Sequence, residues 1–392
     1  MTITSFHPPR RTLMGPGPSD VNPRITEALS RPTIGHLDPE FIRMMDELKI
    51  LIQYAFKTEN RLTLPISAPG SAGMEACFAN LIEEGDKVIV CINGVFGGRM
   101  KENVERFGGV PIIVESDWGR AVDPAKVEDA LIQNPDASIL AFVHAETSTG
   151  ALSDAEALCR LAKAHDCLTI VDTVTSLGGC ELNIDLWGID AVYSGSQKCL
   201  SCVPGLSPVS FSDAAIAKIN SRKSKVKSWF LDMSLIMGYW GGEGKRAYHH
   251  TAPVNQLYAL HEALCILQEE GLENAWERHA LHHRALIAGL AAMGLEMLVP
   301  EKERLVQLNA VVIPEGVDDA AVRNQLLKDY NLEIGAGLGA FAGKVWRIGL
   351  MGYAANKSNV LSCLSALEAA LLKQGYRFKA GESIKAANAI YA

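Results

Sequence analysis

The sequence predicts an α/β protein built on a mostly parallel central sheet with helices on both faces, followed by a smaller α+β domain. Three observations carry this. From Lys87 onward, short apolar runs alternate with helical patterns. Several of those runs are nearly continuous in Val, Ile and Leu, as expected of strands covered on both faces. Near Gly271 the pattern changes: two long helical stretches meet there, and a new group of strands follows. Strand and helix in repeated alternation mark βαβ units. With 392 residues, 48% of them hydrophobic and 21% charged, the chain can bury a large core and lacks the composition of a disordered protein.

Strands are expected at residues 62–66, 88–92, 110–114, 139–143, 168–171, 191–193 and 209–211. Asp123 followed by Pro124 reads as a helix N-cap with proline at the first helical position. Ser153 with Glu156 reads as a capping box. Helices are then expected at 257–270 and 275–293, a strand at 308–313, a helix at 318–330, strands near 332–334 and 345–350, and a last helix at 358–373. The residues after Gly375 read as a short polar tail. The domains expected are an N-terminal arm over 1–20, a large domain over 21–270 and a small domain over 271–392.

The charge balance is 37 Lys plus Arg against 45 Asp plus Glu, a net charge of -8, which argues against nucleic-acid binding. No signal peptide is evident, and no run approaches the roughly 18 apolar residues of a membrane span. A soluble, cytoplasmic protein is expected. The nine cysteines are scattered, as reduced thiols would be.

Ligands of open α/β sheets sit at the carboxyl ends of strands. Strand 62–66 runs into Ser67-Ala68-Pro69-Gly70-Ser71 and a helix, whose free N–H groups suit a phosphate. Asp172 closes strand 168–171. Lys198 follows strand 191–193 through Ser194-Gly195-Ser196-Gln197, where partial desolvation would lower its pKa and leave a nucleophilic amine. A phosphate cradle, an acid able to pair with a pyridinium nitrogen and a Schiff-base lysine are together what pyridoxal 5'-phosphate requires.

Several stretches carry a specific resemblance. Met14-Gly15-Pro16-Gly17-Pro18-Ser19, Gly35-His36-Leu37-Asp38-Pro39, Glu146-Thr147-Ser148-Thr149-Gly150, Val171-Asp172-Thr173-Val174, Ser194 to Lys198, Tyr248-His249-His250-Thr251 and Gly343 to Gly349 resemble, in order, the class V aminotransferases. The branch they resemble is alanine-glyoxylate and serine-glyoxylate aminotransferase. The resemblance implies the fold type I architecture of PLP-dependent transferases. It implies that Lys198 forms the Schiff base and shuttles a proton, while Asp172 holds the pyridine nitrogen protonated. Phe96 and Val174 would cover the two ring faces, and Thr147 would bond near the ring hydroxyl. Gly70, Ser71 and Gln197 would hold the phosphate, joined by Tyr248 and Thr251 of the partner subunit in a homodimer. Arg347, Gly17 and His36 would receive the substrate, with Arg347 clamping its carboxylate.

The chain departs from the family at Pro69, where Ser or Thr is common and where proline offers neither hydroxyl nor N–H. The activity implied is transfer of an amino group from L-alanine first, or L-serine second, to glyoxylate by a ping-pong route. The rival is (S)-ureidoglycine-glyoxylate aminotransferase, which residues 380–391 resemble. Cysteine desulfurase-like and non-catalytic readings are weaker, the former because Gln197 and Phe96 stand where those enzymes carry histidine.

Other signals point away from chemistry. No metal site is expected: Cys199 and Cys202 lack a second ligand pair at zinc-finger spacing. His279, His282 and His283 share a helical face among Glu277, Arg278 and Arg284 and are expected on a solvated surface. The run Arg222, Lys223, Lys225 and Lys227 is expected as an exposed face that could steer carboxylates. The glycines from Gly335 to Gly339 fail dinucleotide-fingerprint spacing.

Overall fold

The computed structural model describes residues 3–241 and 246–392. Its strands, in chain order, are β1 (Thr12–Leu13), β2 (Leu62–Ile66), β3 (Lys87–Ile92), β4 (Val110–Glu115), β5 (Ala137–Val143), β6 (Ala145–Glu146), β7 (Ala151–Leu152), β8 (Leu168–Asp172), β9 (Ala191–Tyr193), β10 (Ser207–Phe211), β11 (Leu308–Val312), β12 (Leu332–Glu333), β13 (Gly335–Ala336) and β14 (Val345–Gly349). Seven form the central sheet in the order β2-β10-β9-β8-β5-β3-β4. Only β10 runs against its neighbours β2 and β9. The other pairings are parallel. β2, β5, β8, β9 and β10 are buried almost throughout, including Thr63, Ser207 and Ser210, as strands covered on both faces are.

A second apolar cluster lies beyond residue 284 and includes Leu286, Leu290, Trp346, Leu364 and Leu367. It packs around the antiparallel sheet β11-β14-β13 and the Leu272–Ala292 and Lys357–Lys373 helices. Met14 belongs to this cluster although it is near the N-terminus. The reason is β1, which pairs in parallel with β12. The chain after β1 then runs along β14, where the Gly349 amide donates to the Met14 carbonyl.

Four sequence expectations are corrected. The helix expected from Ser153 is capped by Asp154, whose Oδ1 accepts from the Ala157 amide at 2.9 Å. Ser153 Oγ instead accepts from Val122 across the fold. The three histidines are not solvated. His279 is fully buried, donating from Nδ1 to the Ala275 carbonyl and accepting from the Gly352 amide at Nε2. Burial drives its pKa down to about 3, so the ring is a neutral strut between two segments. His282 and His283 bond to Tyr391 and Asn309. Glu277 and Arg284 mislead because charges beside a histidine in sequence say little about the face it occupies.

The basic run is partly structural. Arg222 donates to the carbonyls of Asn80 and Ile82, and Lys227 to that of Phe107, so both close the ends of helices. Finally, the stretch after Gly375 is no loose tail: Glu382–Ile390 is a helix, and Tyr391 and Ala387 are packed against the small-domain core.

Candidate active site

The carboxyl ends of β2, β5, β8 and β9 open onto one cavity of about 220 Å³. Its walls include Gly70, Ser71, Phe96, Thr147, Asp172, Val174, Gln197 and Lys198, eight of the residues singled out in the sequence. The crossovers that separate these residues by up to 128 positions in the chain return each strand end to the same edge of the sheet.

Asp172 is 3% exposed. Its Oδ1 accepts from the Val174 amide and its Oδ2 from the Tyr193 hydroxyl, both at 2.8 Å. Desolvation nevertheless outweighs these donors and pushes the carboxyl up to about 7. Lys198 is 7% exposed, and burial lowers it to about 8, with the nearby Arg347 charge acting in the same direction. Its ammonium donates to the Pro16 carbonyl. Gly17, next in the chain, has φ +105°, and a Cβ there would stand 2.8 Å from Lys198 Nζ, so glycine is required for this loop to cover the lysine.

Arg347, on β14, is 9% exposed. It donates from Nη1 to the Thr147 carbonyl at 3.2 Å and from Nε to the Ala336 carbonyl at 2.7 Å. These bonds hold the guanidinium against the cavity wall. The remaining residues lie elsewhere in this chain. His36 packs at 5.6 Å from the Tyr248 ring, and the Tyr248 hydroxyl stands 3.5 Å from that of Thr251. None of these three lines the Lys198 cavity.

Sequence reasoning missed Tyr193, Met74, Arg99 and Glu146. The first three line the cavity. Glu146 is fully buried and accepts from the Phe96 amide, the Ser148 amide and the Ser148 hydroxyl. It thereby fixes the start of the Val95–Phe107 helix and with it the Phe96 ring. A Cβ on Gly94 would meet Glu146 at 2.4 Å. The signal was present: an acidic residue three positions beyond a continuous apolar strand demands partners if the chain stays buried there.

The model of the family Aminotransferase class-V matches residues 26–357 of this chain. The chain belongs to the class V aminotransferases. It is 42% identical to an alanine–glyoxylate aminotransferase of Callithrix jacchus, over 93% of this chain and 88% of that protein. The solved ureidoglycine-glyoxylate aminotransferase of Bacillus subtilis superposes with a TM-score of 0.96 at 38% identity, covering 99% of this chain and 100% of that one. The solved alanine–glyoxylate aminotransferase of Nostoc sp. superposes with a TM-score of 0.92 at 44% identity, covering 95% and 98%. The chain is therefore a PLP-dependent aminotransferase, and relatives of both glyoxylate-using kinds stand at similar identity.

The residues of this aminotransferase fit pyridoxal 5'-phosphate. Asp172 is a buried carboxylate with two neutral donors and no cation bonded to it. Gln197 stands beside Lys198 in the cavity wall, where its side-chain amide can donate. At Gly70, where the Gly70–Leu81 helix begins, a Cβ would crowd the Ser194 carbonyl and Val174 at 3.3 Å, so the chain packs closely beneath the cradle. Pro69 precedes this helix and caps it with no side-chain hydrogen bond.

Proposed function

We propose that this aminotransferase moves the amino group of a small amino acid, L-alanine first and L-serine second, to glyoxylate, yielding glycine in a two-stage ping-pong cycle. The observation that carries the reading is the meeting of Lys198 and Asp172 in one small cavity whose Thr147 wall holds Arg347. Pyridoxal 5'-phosphate, when bound, supplies an aldehyde for the incoming amine and a ring that takes up an electron pair. Gly70, Ser71 and Gln197 hold its phosphate, while Phe96 and Val174 confine the ring and Thr147 bonds beside it. Lys198, whose depressed pKa makes a free amine accessible near neutral pH, anchors the cofactor and then moves the proton at the substrate α-carbon. Asp172 keeps a proton on the ring nitrogen. Arg347 orients the substrate carboxylate through its planar fork, Gly17 borders the same site beside Lys198, and His36, which packs against Tyr248, joins it together with Tyr248 from the partner subunit.

Tyr248 and Thr251 of the partner subunit join the phosphate site, which makes the homodimer the working unit. An exposed aromatic patch supports this: Trp229 is 64% and Tyr248 63% exposed, more than an isolated surface tolerates cheaply. A second reading, ureidoglycine as donor, is favoured by the likeness to the Bacillus subtilis structure, which extends over 99% of the chain and so takes in the C-terminal helix. No described helix is long and apolar enough to cross a membrane.

Two measurements test the proposal. Purified protein supplied with the cofactor should absorb in the visible, and Lys198→Ala should abolish that band and the activity together. A protein that stays colourless would sink the catalytic reading. Relative kcat/KM for alanine, serine, glycine and ureidoglycine with glyoxylate then assigns the donor. Turnover of ureidoglycine above alanine would move the chain to the other branch.

A further inference from the structure

The cavity carries one charged group that the roles above leave unused. Of the residues lining it, Lys198 and Arg99 are the cations and Asp172 the anion. Arg99 lies one turn after Phe96 on the Val95–Phe107 helix, with its guanidinium carbon 4.8 Å from the centre of the Phe96 ring. Stacking of this kind fixes a guanidinium plane and leaves its N–H edge available. Among the described residues, no carboxylate forms an ion pair with Arg99, and its side chain donates no hydrogen bond to the protein.

Arg99 lines the same cavity as Gly70 and Ser71, and two facts associate it with the phosphate end. Asn103 donates to the Arg99 carbonyl at 2.9 Å and contacts Met74 Sδ at 3.4 Å. The segment carrying Arg99 is thus tied to the Gly70–Leu81 helix, whose first residues form the cradle. The cradle is also poor in positive charge. Gly70, Ser71 and Gln197 are neutral, Pro69 has neither N–H nor hydroxyl, and Lys198 is committed to the aldehyde. The helix N–H groups supply only partial positive charge, and a phosphate dianion gains further from a charged donor.

We propose that Arg99 is the cationic contact for the cofactor's phosphate and replaces the contact that Pro69 cannot make. The inference rests on the Lys198-centred site proposed above. It concerns affinity for the phosphate group, so pyridoxal, which has the same aldehyde and ring but no phosphate, is the matched probe.

The test measures dissociation constants of pyridoxal 5'-phosphate and pyridoxal by visible absorbance, using cofactor-free protein and the variants Arg99→Gln and Arg99→Lys. In Arg99→Gln, binding of the phosphorylated cofactor should weaken about 10- to 100-fold, the loss typical of a charge-assisted hydrogen bond. Pyridoxal affinity should change less than about twofold, since its ring and aldehyde contacts are untouched. Arg99→Lys should recover part of the loss, because it keeps the charge and loses the stacked fork. Equal weakening of both ligands, or of neither, overturns the proposal. So does an unchanged cofactor affinity with a raised KM for glyoxylate or the donor, which would give Arg99 to the substrate. Wild-type protein that shows no Lys198-dependent absorbance with either ligand refutes the underlying site, and the proposal with it.

Discussion

Asp172 shows how a single side chain can store a cost until its ligand arrives. In the cofactor-free protein its carboxyl is held up to about 7, against an ordinary value of 3.8. Between about pH 4 and pH 7 the folded chain therefore keeps a proton that the unfolded chain has released, so this group's contribution to stability falls as pH rises through that window. The thermal midpoint of cofactor-free protein should decline accordingly, and Asp172→Asn, which cannot titrate, should flatten the decline. An identical slope in the variant would mean the carboxyl is already ionised at low pH. Arg347 is the complementary case, a guanidinium held by two carbonyls. Arg347→Lys should raise KM for carboxylate substrates about 10- to 100-fold by losing the bidentate fork, while the visible band of the bound cofactor persists. Unchanged kcat/KM would remove Arg347 from the site. Asp172 was legible because it closes an apolar strand, where a charge stands out, whereas Arg347 was reached only through the family-like stretch Gly343 to Gly349. Tyr193 was not, because a tyrosine at the end of a buried strand looks like core until its hydroxyl is seen to meet Asp172 at 2.8 Å.

Elements were read best where periodicity and burial agree. β2 and β9 match the expected spans residue for residue. The failures occur where one residue serves a partner far along the chain: Ser153 serves Val122, and His279 serves Gly352. Local patterns contain no trace of such bonds. The Glu382–Ile390 helix is the clearest example, because its start is organised by Glu368, a mostly buried carboxylate on the Lys357–Lys373 helix. That carboxylate accepts from the Gly381 amide, the Ser383 amide and the Ser383 hydroxyl. Glu368→Ala leaves these donors unpaired in a closed setting and should cost about 1–3 kcal/mol. Urea unfolding checks this. A loss within about 0.5 kcal/mol, the scatter of surface substitutions, would mean that water replaces the carboxylate.

For the whole molecule, the two apolar clusters meet at the site: one supplies Lys198 and Asp172, the other Arg347. The arrangement of the large sheet was legible from alternation of strand and helix, whereas the attachment of the N-terminal residues to the small domain was not. Two strands of two residues each, β1 and β12, give no periodicity to detect. The proposed assembly is testable by complementation. If each site combines Lys198 with Tyr248 of the partner subunit, Lys198→Ala and Tyr248→Ala chains refolded together form mixed dimers with one intact site each. Random pairing then restores about one quarter of the wild-type sites. No recovery above the separate variants would show that the two residues do not share a site across subunits.

The pairing of β1 with β12 also bears on the order of events during synthesis. Lys198 is covered by the Pro16 carbonyl and Gly17, and that loop is held in place by a strand bonded to Leu332 and Glu333. A nascent chain of about 200 residues has made the lysine, the acid and the cradle, yet the loop above them is tied only where Ser19 donates to the Gln197 and Lys198 carbonyls. The second tie, the pairing of Thr12 and Leu13 with Leu332 and Glu333, comes only after more than a hundred further residues have been made, so full closure over the cofactor is a late event in synthesis.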